Sequence, residues 1–148
     1  MYTLIFSVLL MSAPIFADST NLDNNRSITY LENGEYITSE IVIDYLETST
    51  YGVNTKSAHR IYTYYNSRKE KAWDLTVYGT FSYNGKSATA TAVSSDYNIY
   101  ISGWKCISRT PSKSRATVQV KGNFKYGSLN VTKTIGLKCS PTGVISAT

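Results

Sequence analysis

Histidine occurs once in this chain and cysteine twice, and only three acidic residues follow position 50. Each shortage excludes something. One histidine, His59, cannot supply a set of imidazole ligands, and no serine or cysteine stands beside it in an elbow-type motif that would make it a general base. His59 therefore reads as a surface or edge-strand residue. Two cysteines make a zinc site only with further ligands that one distant histidine does not provide. The chain also lacks a glycine-rich phosphate loop, an H-E-x-x-H pair and the acid series of a calcium loop. Glu70 and Asp74 could form a carboxylate pair, but four residues along a strand separate them by about 13 Å, outside the spacing of glycosidase pairs. Nothing in this inventory supplies an enzyme with residues, and neither a metal nor a cofactor is expected.

One apolar run is present, from Leu4 to Met11, followed by Ile15-Phe16-Ala17 and an abrupt polar switch at Asp18. It falls short of the roughly 20 residues that span a bilayer and is placed as a secretory signal peptide cleaved after Ala17. No Lys or Arg precedes the run, which keeps an uncleaved anchor or a mis-assigned start open as alternatives. The expectation is export, leaving about 130 residues, close to the commonest size of one domain. Outside the cell Cys106 and Cys139 can hold a disulfide. In the chain-entropy account, a bridge closing about 33 residues contributes roughly 3–4 kcal/mol.

Between Trp73 and Cys139 apolar and polar residues alternate, which is how a half-buried strand reads. Trp73, Leu75, Val77, Phe81 and Tyr83 share one parity; Trp104 and Cys106 share theirs on a second strand, and Leu129, Val131, Ile135, Leu137 and Cys139 share theirs on a third. The spacing predicts strands near 57–65, 72–83, 87–93, 98–101, 104–109, 115–126 and 129–138. Tyr83-Asn84-Gly85-Lys86 carries the signal of a type I′ hairpin and residues 124–129 that of a second hairpin, while Thr110-Pro111-Ser112 reads as a turn where proline ends pairing. Residues 34–52 suggest one more strand, with Ile37, Ile41, Ile43 and Tyr45 on one parity and Val42 and Leu46 blurring it; a helix is the alternative. Residues 18–33 read as a flexible leader. The fold class is all-β: an antiparallel, Ig-like sandwich of about seven strands with one disulfide, Cys106–Cys139. The organisation is a signal peptide at 1–17, an acidic, partly flexible extension at 18–52 and the sandwich at 53–148. No internal repeat interrupts it.

Two surface features carry the functional expectations. Residues 18–50 hold seven acids and one base, a net −6, whereas residues 51–148 hold fourteen bases and three acids, a net +11. Arg115, Lys121 and Lys125 occupy the outward parity of one strand and Lys138 that of its partner. Such a face suits an anionic cell-wall polymer, lipid headgroups or nucleic acid, although Lys also serves solubility and discourages edge pairing. The acidic extension either docks on that face as an edge strand or is a solvated spacer. The second feature is tyrosine, thirteen against four phenylalanines. Tyr62 and Tyr64 share a face and Tyr78 lies on an outward phase; exposed Tyr stacks on sugar rings or serves as a protein-binding surface, but Tyr is also common on β surfaces.

The stretches Tyr62-Thr63-Tyr64-Tyr65-Asn66, Ala72 to Val77, Gly79 to Gly85, Gly103-Trp104-Lys105, Ser108 to Ser114 and Leu137-Lys138-Cys139-Ser140 with Gly143, in that order, resemble small secreted proteins of Gram-positive, clostridia-like bacteria. The resemblance covers about residues 55–146. It implies export and a β domain and assigns no functional residue. The expectation is a secreted, non-enzymatic binding module at the cell envelope or beyond it, its partner an anionic cell-wall polymer, a glycan or a protein, with no specific nucleic acid. Candidate binding residues are Tyr62, Tyr64, Tyr78, Arg115, Lys121, Lys125 and Lys138. The alternative is a secreted cationic effector, bacteriocin-like or membrane-acting, masked by its acidic segment.

Overall fold

Ten strands and no α-helix make up the described residues. A computed structural model of the chain describes residues 19–23, 25–48 and 51–148; the expected signal peptide and its cleavage site lie outside them. The strands are β1 (Ser19–Asp23), β2 (Arg26–Tyr30), β3 (Tyr36–Thr48), β4 (Asn54–Tyr65), β5 (Lys71–Tyr83), β6 (Ala88–Ile99), β7 (Trp104–Ser114), β8 (Thr117–Tyr126), β9 (Leu129–Cys139) and β10 (Ile145–Ala147). They form a six-stranded antiparallel sheet in the order β1 to β6 and a four-stranded antiparallel sheet in the order β10-β9-β8-β7. Every hydrogen-bonded neighbour is thus a neighbour in sequence. The chain runs as two successive meanders, with none of the Greek-key crossings of an immunoglobulin sandwich.

The alternation assigns most of the core, although Leu129 at the start of β9 is 52% exposed and Cys106 only half-buried. Trp73, Leu75, Val77 and Phe81 of β5 are buried together with Val118, Val120 and Phe124 of β8 and Ile135, Leu137 and Cys139 of β9. At their centre Trp73 stacks on Phe124 with ring centroids 4.0 Å apart and planes within 10°. Two glycines let the sheets approach. A Cβ on Gly79 would lie 2.7 Å from Val118 Cγ2, and one on Gly122 would lie 2.9 Å from Leu75 Cδ2. Side chains at either position would push apart the layer that supplies most of the burial energy.

The disulfide is a correction: Cys106 and Cys139 are both free thiols. Register explains why. Cys106 pairs with Phe124 at one end of β8, whereas the Cys139 amide donates to the Ala116 carbonyl at the other end. Those β8 partners are eight residues apart, so the cysteines stand about 27 Å apart along the strand direction, far beyond the Cα separation of under about 7 Å that a bridge requires. Both face inward from one sheet, and shared parity says nothing about position along it. Burial pushes both thiols above their ordinary range.

Several local expectations change for identifiable reasons. Within the expected leader, β1 (Ser19–Asp23) and β2 (Arg26–Tyr30) pair antiparallel, and β2 pairs with β3 along Arg26–Tyr30. β3 is an interior strand of the six-stranded sheet and not an edge strand. A bulge at Asp44 flips its parity, so Ile43 pairs with Ala58 but Tyr45 pairs with Ser57, which is why Val42 and Leu46 blurred the pattern. Residues 88–99 are one strand, held along its length by β5. Pro111 lies inside β7 because β7 is an edge strand, where the missing N–H costs no ladder bond. The β5–β6 connection is no type I′ turn: only Gly85 is left-handed, and the Asn84 side chain accepts from the Lys86 and Ser87 amides.

Two measurements check this picture. Phe124→Ala is expected to lower the unfolding free energy by about 3–5 kcal/mol in urea titrations. Dithiothreitol is expected to leave Tm unchanged, with both thiols titrating in denaturant; a reductant-dependent fall in Tm would contradict the register.

Candidate functional site

The fold sorts the candidate residues onto separate surfaces. Tyr62 and Tyr64 point inward from β4. Tyr62 is only 7% exposed and stacks against Trp73 at 6.0 Å, and Tyr64 packs on Trp73 and Trp104 at 5.5 and 5.6 Å. They complete the aromatic core and offer no free ring face, contrary to the expectation of an exposed row. Burial pushes both phenols up to about 12. Tyr78 stands on the opposite, outer face of the six-stranded sheet, exposed, with the His59 ring 5.3 Å away. The three tyrosines therefore cannot form one surface.

That outer face is polar and internally satisfied. The Asp74 carboxylate, 3% exposed, accepts from the Asn98 amide and side chain through Oδ1, and from the Tyr100 hydroxyl at 2.7 Å and Lys71 Nζ at 3.0 Å through Oδ2. His59 Nδ1 sits 2.6 Å from Asp44 Oδ1. Glu70 is held in the preceding turn by the Asn66 side chain and Arg68. Arg109 reaches Asp96 at 3.0 Å. Tyr36 stacks on Tyr65 at 4.4 Å, ring on ring. Among the described residues no three His, Cys, Asp or Glu gather where they could hold a metal ion, and no helix is long and apolar enough to cross a membrane.

The four-stranded sheet is different. From Trp104 to the last residue the sequence holds eight bases and no acid. Alternation turns Lys121 and Lys125 of β8 outward, with Lys138 of β9 on the same face and all three exposed. Pairing adds a residue the sequence reading missed: Lys105 of β7 lies directly opposite Lys125. Cross-strand partners have Cβ atoms about 5 Å apart, and like charges so placed destabilise a sheet. Only strand register could have found Lys105, since twenty residues separate it from its partner. Arg115 occupies the β7–β8 turn at φ 52°, its carbonyl accepting from the Ala90 amide at 2.7 Å. With Thr117, Gln119 and Lys138 it lines a groove of about 590 Å³.

The acidic extension does not cover this face. β3 belongs to the other sheet, where Glu40 pairs with Ile61 and Arg26 and Asp44 meets His59. Its described acids lie on the six-stranded sheet and its connections, so none faces the lysines of β8.

The buried phenols generate a pH prediction. A folded-state value of about 12 against an ordinary 10 means the neutral phenol is favoured in the folded chain. Its contribution is complete below pH 10 and lost as pH rises towards 12. Urea stability measured from pH 9 to 11.5 should fall, and Tyr62→Phe should flatten that fall.

No family model, no curated protein and no solved structure matches this chain.

Proposed function

We propose that this chain is an exported, non-enzymatic binding module that engages an anionic polymer through the outer face of its four-stranded sheet. The observation that carries the reading is the Lys105–Lys125 pair, two like charges set opposite each other in a sheet whose sequence contains no acid. A purely solubilising surface intersperses both signs. Here a cross-strand repulsion is kept with nothing nearby to relieve it, and a polyanion would relieve it. Lys121 extends the site about 13 Å along β8, and the Arg115–Lys138 groove continues it at the far end. Ser108, Asn123 and Thr132 fill the row between Lys125 and Lys121, and Thr110 and Thr134 flank Lys121, so the neighbours of the cations are hydroxyl and amide groups that do not oppose the charge.

The repeating anionic unit of a cell-wall polymer fits this spacing, since several separated cations favour a flexible chain of charges over one compact anion. Such binding is electrostatic and weakens steeply with salt because the sites are exposed.

Immobilised poly(glycerol phosphate), with uncharged dextran as control, provides the test. The protein should be retained on the polyanion and released as salt rises from 50 to 500 mM. Lys121→Glu with Lys125→Glu should reduce affinity at least tenfold without lowering Tm. Retention indifferent to salt and to charge reversal would refute the reading, as would turnover on a hydrolase substrate panel.

A further inference from the structure

On the outer face of the six-stranded sheet one hollow is not closed by the polar pairs around it. β4, β5 and β6 carry two rows of residues across this face, Ser57–Thr80–Ala92 and His59–Tyr78–Ser94. The first row holds no side chain larger than threonine, and the second carries a tyrosine and a histidine, so the surface steps down from Tyr78 towards Ala92. The bulge in β3 brings Asp44 to the same place. It is the extra residue between the Ile43–Ala58 and Tyr45–Ser57 pairs, and its carboxylate turns to the outer face, where it meets His59. Asp44, Ser57, Tyr78, Thr80, Ala92 and Ser94 are among the residues that line a cavity of about 300 Å³. That is the lower end of the roughly 300–1,000 Å³ of small-ligand sites, room for one ring-sized molecule.

The groups facing the hollow keep hydrogen-bonding capacity to spare. His59 Nδ1 lies 2.6 Å from Asp44 Oδ1, which fixes the carboxylate and leaves Oδ2 without a partner among the described residues. In the Ser57–Thr80 pair, with oxygens 3.0 Å apart, one hydroxyl donates to the other, so one O–H remains to donate outward. Ser94 adds a third hydroxyl. The Tyr78 ring is 39% exposed. His59 packs against that ring at 5.3 Å without lining the cavity, so it backs the tyrosine and does not fill the hollow.

This donor and acceptor set selects a class of ligand. A carboxylate lines the cavity and no Lys or Arg does, which repels an anion. An ammonium group only donates, which answers Asp44 but not a free O–H. A sugar hydroxyl both donates and accepts, and the C–H face of a sugar ring is apolar enough to lie on an aromatic one. We propose that this hollow binds a single uncharged pyranose ring, its C–H face on Tyr78 and its hydroxyls on Asp44 Oδ2 and the Ser57–Thr80 pair. The hollow belongs to the other sheet from the lysine face, so the site stands whether or not that face holds a polyanion.

Saturation-transfer difference NMR on the full chain tests the proposal, with the methyl pyranosides of glucose, galactose, mannose and N-acetylglucosamine as separate probes and choline as the cationic one. Expected is a saturable signal from the ring C–H protons of at least one pyranoside, undisturbed by choline. Tyr78→Ala should weaken that binding about tenfold, and Tyr78→Phe should keep most of it, since stacking needs the ring and not the hydroxyl. Ala92→Trp fills the hollow from the edge strand β6 and should abolish binding even if Tyr78→Ala fails to fold. Unchanged retention of the Ala92→Trp chain on poly(glycerol phosphate) shows that its loss is local to the hollow. No saturable pyranoside signal, displacement of the pyranoside by choline, or pyranoside binding that survives Ala92→Trp overturns the proposal.

Discussion

The Trp73–Phe124 stack is the contact on which the rest of the molecule depends. It joins the start of β5 to the end of β8, and so ties the two meanders together face to face. Around it the aromatic residues of β4 and β7 close the layer, with Trp104 against Trp73 at 6.0 Å and Tyr126 against Trp104 at 5.5 Å. Neither sheet could bury an apolar face alone, because each is a run of hairpins with one wet side. Gly79 and Gly122 belong to the same interaction, since the rings and branched side chains meet only where those two positions carry no side chain.

Once the sheets are fixed face to face, charge is partitioned without further instruction. The acids that form ion pairs with strand residues, Asp44, Asp74 and Asp96, all lie on the six-stranded sheet, and only Asp96 takes its partner from β7. His59 takes Asp44, Arg109 takes Asp96, and Lys71 takes Asp74. The later strands bring lysines with no acid to answer them, and alternation puts most on the outside. The sheet that contributes most of its apolar face to the core thus presents a cationic face to solvent. Opposite demands on the two parities of the same strands produce this arrangement, in which stability and recognition use different residues of β8.

How far the site was legible follows from the kind of information each residue needs. Lys121, Lys125 and Lys138 were readable because parity alone decides whether a strand residue faces in or out. Tyr62 and Tyr64 were misplaced because parity gives a shared face but not which face is covered; that depends on β9 and the tryptophans lying over them. Lys105 became visible only through its register with Lys125.

The sequence by itself determined the all-β class, the positions of the β5–β6 and β8–β9 hairpins and most of the core residues, because alternation and turn chemistry are local properties of the chain. It could not determine where along a sheet two residues fall. Cys106 and Cys139 show this most plainly: both obey the inward parity, yet register sets them at opposite ends of β8, and a bond that composition favoured becomes geometrically impossible. The bulge at Asp44 and the lysine pair have the same origin. Register is settled by summing contacts between distant strands, so the separation of the cysteines and the cationic pair were decided only when the strands paired and the two sheets closed on each other.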